Sequence, residues 1–385
     1  MDRRTVLVLG GGVGGLVAAG ILRRELDPED RVILVERSGL HTFSPSLLWL
    51  MIGSRTKAQV TRDLGPSLAR RGIELRRGEV TEIDPQRRRV VVAGEELAGE
   101  AMVVALGAAL VPERIPGLPE AGGNFYTVEG ALQVHGEVSR LQAGHLAVVV
   151  SDVPFKCPAA PYEAAMLLEH MLRRRRVRDR VAVTVYAAEP APMAVAGPAV
   201  SHGVVEAVRQ RGIDYRPGLK LSRVDASARR LHFEGGEVAE FDVLAAIPPH
   251  AAPEVVAASR LAGPGGWIPA DPATCETRFE NVFAIGDVTT VPLKLGKPLP
   301  KAGVFAHGQA EAVAHTVAAR LRGRGREQRF EGRGECFVEM GGGVAGFARG
   351  NFYAEPLPQV QMFRAGRHWH AAKVAFERNW WHTWL

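Results

Sequence analysis

Three observations predict an α/β fold. Short apolar β-type runs alternate with longer helical patterns along most of the 385 residues, the alternation that builds parallel sheets covered by helices. A glycine-rich turn stands between the first run and the first helix. A second αβ section with the same layout opens near residue 146. Together they predict two Rossmann-like domains of the dinucleotide-binding type, followed by a C-terminal region of different character.

The first unit reads in order. Thr5–Leu9 is a short apolar strand, Gly10-Gly11-Gly12-Val13-Gly14-Gly15 follows, and Leu16–Leu26 has the pattern of a helix. Asp27-Pro28 breaks that helix, and Arg31–Val35 forms a second strand ending in Glu36-Arg37. A Gly-x-Gly-x-x-Gly run is a weak signal alone, but here it has the strand-turn-helix context that the chemistry needs. Gly10 serves the tight turn, Gly12 the close approach of a pyrophosphate, and Gly15 the packing of helix on sheet. The helix N-terminus offers free N–H groups and partial positive charge to the phosphates. Glu36 at the strand end is placed to take both ribose hydroxyls, and an acid there disfavours a 2′-phosphate. Arg37 beside it, and Val80 where the next segment starts, are grouped with it as cofactor contacts.

Residues from about Val80 to Ala109 read as a β-meander closing on Ala101–Leu106, with Gly107 after it. The second section has strands at Leu146–Val150, Val181–Tyr186 and Val243–Ile247, and helices from near Pro161 and over Ser201–Arg211. Asn281–Asp287 is a buried strand ending in a turn, and a helix over about Ala302–Leu321 follows it. The expected domains are 1–110 and 261–325 as the two parts of one nucleotide-binding domain, 111–260 as the second, and 326–385 as the C-terminal region. The shared layout fits an internal duplication.

Composition narrows the function classes. Apolar residues at 46% and charged residues at 23% are ordinary for a globular chain with a large core. The net charge of +6 permits anionic partners without choosing one, and no recognisable nucleic-acid module is present. Three cysteines, Cys157, Cys275 and Cys336, form neither a disulfide framework nor a zinc spacing, so no metal site is expected. Arg3-Arg4 and the apolar run after them read as a nucleotide-binding turn rather than an export signal. No stretch of about 20 apolar residues predicts a membrane-spanning helix.

The later motifs choose the cofactor. Asn281–Asp287 resembles the second flavin motif of the two-dinucleotide-fold flavoproteins, which implies that Asp287, after Gly286, contacts the ribityl chain or phosphate of FAD. Gly107 matches the small residue of a third motif of that family. A second nucleotide turn is missing: Ser151–Glu163 contains no glycine and three prolines, which stiffen the chain and remove N–H donors. Nicotinamide binding there is disfavoured.

Phe155-Lys156-Cys157-Pro158-Ala159-Ala160-Pro161-Tyr162-Glu163 resembles the signature of the sulfide:quinone oxidoreductases and of the flavoprotein subunit of flavocytochrome c sulfide dehydrogenase. Pro300-Lys301-Ala302-Gly303, with Gln309, is similar to the segment beside the isoalloxazine in that family. Gly334-Glu335-Cys336-Phe337 matches the region of its second redox cysteine. The resemblance implies that Cys157 and Cys336 form a disulfide, or a sulfur-bridged version of it, against the flavin, with Cys336 accepting sulfur from sulfide. Cys157 at a helix start is expected to have a lowered thiol pKa. Lys301 is expected to balance charge on the reduced flavin, with Gly303 beside it, and Glu163 to move protons. Cys275 is read as structural. No cysteine occurs near His41–Pro45, where the flavocytochrome subunit anchors its flavin, so FAD is expected to be non-covalent.

The tail suggests where electrons go. Written as a helix, Trp369, Phe376, Trp380 and Trp384 share one face, interleaved with Arg364, Arg367, Lys373 and Arg378. Tryptophan with basic residues suits a bilayer interface. The expectation is a membrane-associating region and a peripheral protein of a bacterial-type membrane, handing electrons to a lipid quinone, with the face of the membrane open. Phe337 and Phe352 are candidates for stacking on the quinone ring. Docking of the tail on its own core or on a twin subunit competes with this, so a homo-oligomer stays open. The competing functions are an NADH:quinone dehydrogenase, a flavocytochrome-type subunit, and a non-enzymatic flavin-binding scaffold.

Overall fold

The computed structural model describes residues 3–385. Its first sheet is parallel throughout, with strands in the order Val282–Ala284, Ala101–Val104, Thr5–Leu9, Arg31–Glu36 and Glu74–Arg77. The strand at Val282–Ala284, far along the chain, thus completes the sheet that the N-terminus begins. Thr5–Leu9 and Arg31–Glu36 read as near-continuous apolar runs because helices cover both faces of such a sheet. Helices Val13–Glu25 and Gly303–Arg322 pack on each other over it.

The second sheet is also parallel, ordered Asp214–Pro217, Val181–Ala187, Gly144–Val150 and Val243–Ile247. Each domain carries a three-stranded antiparallel meander at the equivalent place, Val80–Ala98 in the first and Leu221–Glu240 in the second. That correspondence is what an internal duplication leaves behind.

The C-terminal region is a three-stranded antiparallel sheet, Arg333–Glu339, Ala345–Asn351 and Gln359–Gly366, followed by helix Arg367–Trp384. The helix turns Lys373, Glu377, Trp380, Trp381 and Trp384 inward, a spacing of one helical face. Trp380 stacks on Phe43 and His41, and a Cβ at Gly20 would meet the Trp384 ring at 2.9 Å. Arg55 holds Glu377 from the side at 2.7 Å.

This corrects the expected orientation of the tail. Trp380 and Trp384 lie in the core of the first domain, 2% and 8% exposed, and Trp369 stacks on Phe347 at 4.2 Å between centroids. The sequence pattern was that of an amphipathic helix, and a pattern does not say whether lipid or protein covers the apolar face. Among the described residues no helix is long and apolar enough to cross a membrane.

Candidate active site

One cavity of about 1480 Å³ runs from the glycine turn to the C-terminal sheet. At one end lie Gly12, Val13, Gly14 and Gly107; in the middle Gly286, Asp287, Lys301 and Gly303; at the far end Cys157, Glu163, Cys336, Phe337, Lys373 and Phe376.

The glycine turn is built for backbone approach. A Cβ on Gly10 would meet the Ala105 carbonyl oxygen at 2.4 Å, and one on Gly15 would meet the Gly10 oxygen at 1.8 Å. Side chains are thus excluded at both places, where strand, turn and helix close on one another. Helix Val13–Glu25 starts at Gly12 and helix Gly303–Arg322 at Ala302, neither with a side-chain cap nor an acid in its first turn. Both uncapped N-termini border the same cavity, so two sets of free N–H groups and two positive dipole ends face it.

Asp287 completes this half. Its Oδ1 is buried without a hydrogen-bond partner among the described residues, and burial raises its pKa. A buried carboxyl oxygen left alone is costly, and a hydroxyl-bearing ligand would satisfy it. The donors, the orphaned acceptor and the elongated space fit FAD. Glu36 stands at its strand end, where Oε2 accepts the Gly11 N–H at 2.9 Å. Arg37 is exposed and Val80 is buried at the start of the meander, and neither borders the cavity.

The cysteine half is assembled from three parts of the chain. Cys157 has φ +53°, a left-handed conformation that is uncommon for a residue with a Cβ. It is held there from two sides. Its N–H donates to the Lys301 carbonyl at 2.7 Å, and the Tyr126 hydroxyl donates to the Lys156 carbonyl at 2.6 Å. Cys336 lies on strand Arg333–Glu339, paired with Ala348 on the next strand. Both thiols are free and both open on the cavity. Charge on Cys157 raises the pKa of Cys336, which places the two within electrostatic reach. Cys275 is fully buried in the first core, away from them.

Several expectations are corrected here. The helix begins at Ala160, within a residue of the expected start but three residues past Cys157, and burial pushes the Cys157 thiol up to about 12 rather than down. Cys336 is likewise raised by burial. The Lys301 ammonium donates to the carbonyls of Asp287 and Thr289 at 2.8 and 2.9 Å and sits over the Trp267 ring at 3.5 Å. Burial lowers it to about 8. Its head is therefore committed to the Asp287 loop while its backbone holds Cys157, which makes it a clamp between the two halves. Phe352 packs edge-on against Phe305 at 4.9 Å and does not border the cavity, whereas Phe337 does.

Sequence reasoning named Lys156 beside Cys157 but gave no site role to Tyr126, or to Lys373 and Phe376, which it read only as parts of the tail. Lys373 is buried, and its ammonium meets Glu163 Oε1 at 2.9 Å. The same oxygen accepts the Glu339 N–H at 2.9 Å. Lys373 lowers the pKa of both thiols, against their burial. Only its place within the tail's helical face, four residues before Glu377, hinted at an inward position.

The second domain shows no dinucleotide turn. Both the N–H and the hydroxyl of Ser151 donate to the Ile247 carbonyl, at 3.1 and 2.6 Å. Glu189, just past strand Val181–Ala187, is hydrogen-bonded by the Tyr162 hydroxyl and raised by burial to about 7. The carboxylate that stands where a ribose ligand is expected is thus covered by the protein itself.

A flavin turn completed by a distant strand, with two cysteines opening on the same cavity, defines a two-domain flavoprotein oxidoreductase. The chain belongs to the pyridine nucleotide-disulphide oxidoreductase family, whose model matches residues 4–310, and it is an FAD-containing, flavin-dependent oxidoreductase. It is similar to the sulfide-quinone reductase of Aquifex aeolicus (strain VF5), 28% identical over 97% of this chain and 89% of that protein. The mitochondrial sulfide:quinone oxidoreductase of Mus musculus is 26% identical over 91% of this chain and 79% of its own length. The X-ray structure of the Aquifex aeolicus sulfide:quinone oxidoreductase matches with a TM-score of 0.89 at 24% identity, covering 99% of this chain and 91% of that one, which shows the shared fold.

Proposed function

We propose that the chain oxidises sulfide to polysulfide through Cys157 and Cys336 and passes the electrons through FAD to a membrane quinone. The observation that carries this reading is that the two cysteines, from different domains, open on the cavity that the flavin elements line. The similarity to sulfide:quinone oxidoreductases over nearly the whole chain supports it.

The chemistry that bound FAD supplies is two-electron exchange. Gly12, Gly107, Gly286, Asp287 and Gly303 would hold it. The protein's own sulfur chemistry is thiol–disulfide exchange. A hydrosulfide ion attacks Cys336 of the oxidised pair; the Cys157–Cys336 bond breaks, a persulfide forms on Cys336, and Cys157 leaves as a thiolate. A second hydrosulfide attacks the outer sulfur, releasing HSS⁻, a proton and the Cys336 thiolate. The pair closes again as two electrons pass on toward the acceptor. The sum is 2 HS⁻ + Q + H⁺ → HSS⁻ + QH₂. Lys373 favours the thiolates that this cycle needs, and Lys301 holds the Cys157 turn against the Asp287 loop.

The quinone would enter past Phe337 and Phe376. Phe376 is 43% exposed, and Leu357 and Met362 on the adjoining hairpin are 60% and 45% exposed, with Arg364 and Arg367 exposed beside them. On this reading the exposed hairpin, rather than the buried tryptophans, rests on lipid, making the protein a peripheral membrane enzyme.

The NADH-dependent reading loses support where Tyr162 covers Glu189. The test is anaerobic titration with sulfide, following flavin absorbance. Bleaching is expected in the parent and its loss in Cys157→Ser and Cys336→Ser; normal bleaching in both variants refutes the cysteine mechanism.

A further inference from the structure

The site contains more buried acid than buried base. Glu163 and Glu339 are 3% and 1% exposed, and Lys373 between them is 5% exposed. Lys373 makes its ion pair with Glu163, so the Glu339 carboxyl must find its counter-charge elsewhere or hold a proton, because a buried unpaired carboxylate is costly. The other partner is His370, whose Nδ1 lies 3.0 Å from both oxygens of Glu339. The His370 side chain is 34% exposed, which makes it the open end of a buried row. Glu339 sits three residues past Cys336 on the same strand.

On the sulfide:quinone reading above, each turnover takes one net proton from solvent, and quinone reduction itself consumes two. The groups bordering the cavity near Phe376 are buried and must be resupplied. We propose that His370 and Glu339 form the proton inlet of this enzyme, carrying protons from solvent to Lys373 and Glu163 at the cavity wall for delivery to the reduced acceptor. His370 takes a proton from water and passes it across the 3.0 Å contact to Glu339. The lysine ammonium, on a flexible four-carbon stem, swings between the two carboxyl groups, gives its proton to the acceptor and regains one from Glu339.

The surroundings agree. Burial raises Glu339, so it holds a proton more readily than an exposed acid, and the facing carboxylates raise Lys373. Besides Lys373, Glu163 and Cys336, the charged groups near this row are His170, which packs on Gly341, and Arg173, Arg174, Arg211 and Glu169 around that histidine, the acid paired with Arg173 and Arg178. Arg211 is spent on the Met340 and Ala207 carbonyls, and Glu377 of the same helix is paired with Arg55. The edge of Trp49 covers His370, with ring centroids 5.9 Å apart.

His370→Gln tests this, since glutamine can still donate to Glu339 but carries no proton. Full-length, FAD-loaded enzyme is photoreduced without sulfide and mixed anaerobically with decylubiquinone, while a pH dye follows proton uptake. Loss of a positioned acid predicts that both reoxidation and proton uptake slow by about ten-fold or more, that added imidazole restores both in proportion to its imidazolium fraction, and that the double variant Glu339→Gln/His370→Gln is not restored. Reoxidation of His370→Gln at the parent rate overturns the proposal, as does slow reoxidation that imidazole leaves unchanged, or rescue that persists in the double variant. Failure of the sulfide reading shows separately, as a parent flavin that sulfide does not bleach.

Discussion

His41 joins the two ends of the chain through one ring. Its Nε2 accepts the Trp380 indole N–H at 3.0 Å, so its proton sits on Nδ1, which donates to the Gly11 carbonyl at 2.9 Å. That arrangement requires the neutral ring, and burial holds it neutral, down to about 4. His250 is similarly lowered to about 3, by burial first and by Lys156 next. Both bind a proton in the unfolded chain at a higher pH than in the folded one, so stability rises with pH across that window. Thermal unfolding should therefore show a midpoint that falls as pH drops from about 6.5 toward 4. His41→Asn, checked the same way, should flatten part of the slope. A midpoint independent of pH over that range contradicts a buried, neutral His41. At this scale the sequence singled out residues that the structure places on the cavity, Cys157, Cys336, Gly12, Gly107 and Asp287. It gave no partner for His41, Lys373 or Glu339, whose contacts lie on distant segments.

Among the elements, the C-terminal helix has two duties that its sequence does not separate. Its inner face closes the first domain and delivers Lys373 to the cavity; its outer edge presents Phe376. A tryptophan buried as fully as Trp380, at 2% exposure, should cost about 3–5 kcal/mol on replacement by alanine, so Trp380→Ala is expected to unfold at markedly lower denaturant in equilibrium melts. A bilayer-facing tryptophan would show almost no such loss. Under the proposed function, membrane contact falls to the neighbouring hairpin instead. Leu357→Asp with Met362→Asp should abolish co-sedimentation with anionic vesicles while leaving sulfide bleaching intact, and unchanged sedimentation would remove the hairpin from the account. The helix was legible as an element because its apolar period is strong. The choice between lipid and protein was not, because both reward the same stripe.

For the whole molecule, the two αβ halves share one layout, but only the first carries the glycine turn of a dinucleotide site. Strands Leu146–Val150 and Val243–Ile247 were readable to within two residues, since buried parallel strands are continuous apolar runs bounded by turn residues. The missing glycines after Val150 were equally readable, and the Tyr162–Glu189 contact supplies their structural counterpart. NADH should accordingly leave the flavin oxidised in anaerobic mixing, whereas rapid bleaching would restore the dehydrogenase reading. Periodicity and spacing could not provide the meeting of the two domains and the tail at one cavity, which only the family resemblance implied, because it arises from docking rather than from any local pattern. Under the proposed function this docking makes Cys157 and Cys336 a redox pair. The most direct measurement is peptide mapping of the air-oxidised protein by mass spectrometry, before and after anaerobic sulfide. A Cys157–Cys336 cross-link, direct or bridged by sulfur, that sulfide opens is expected. A cross-link through Cys275, or two thiols that stay free in the oxidised enzyme, would contradict it.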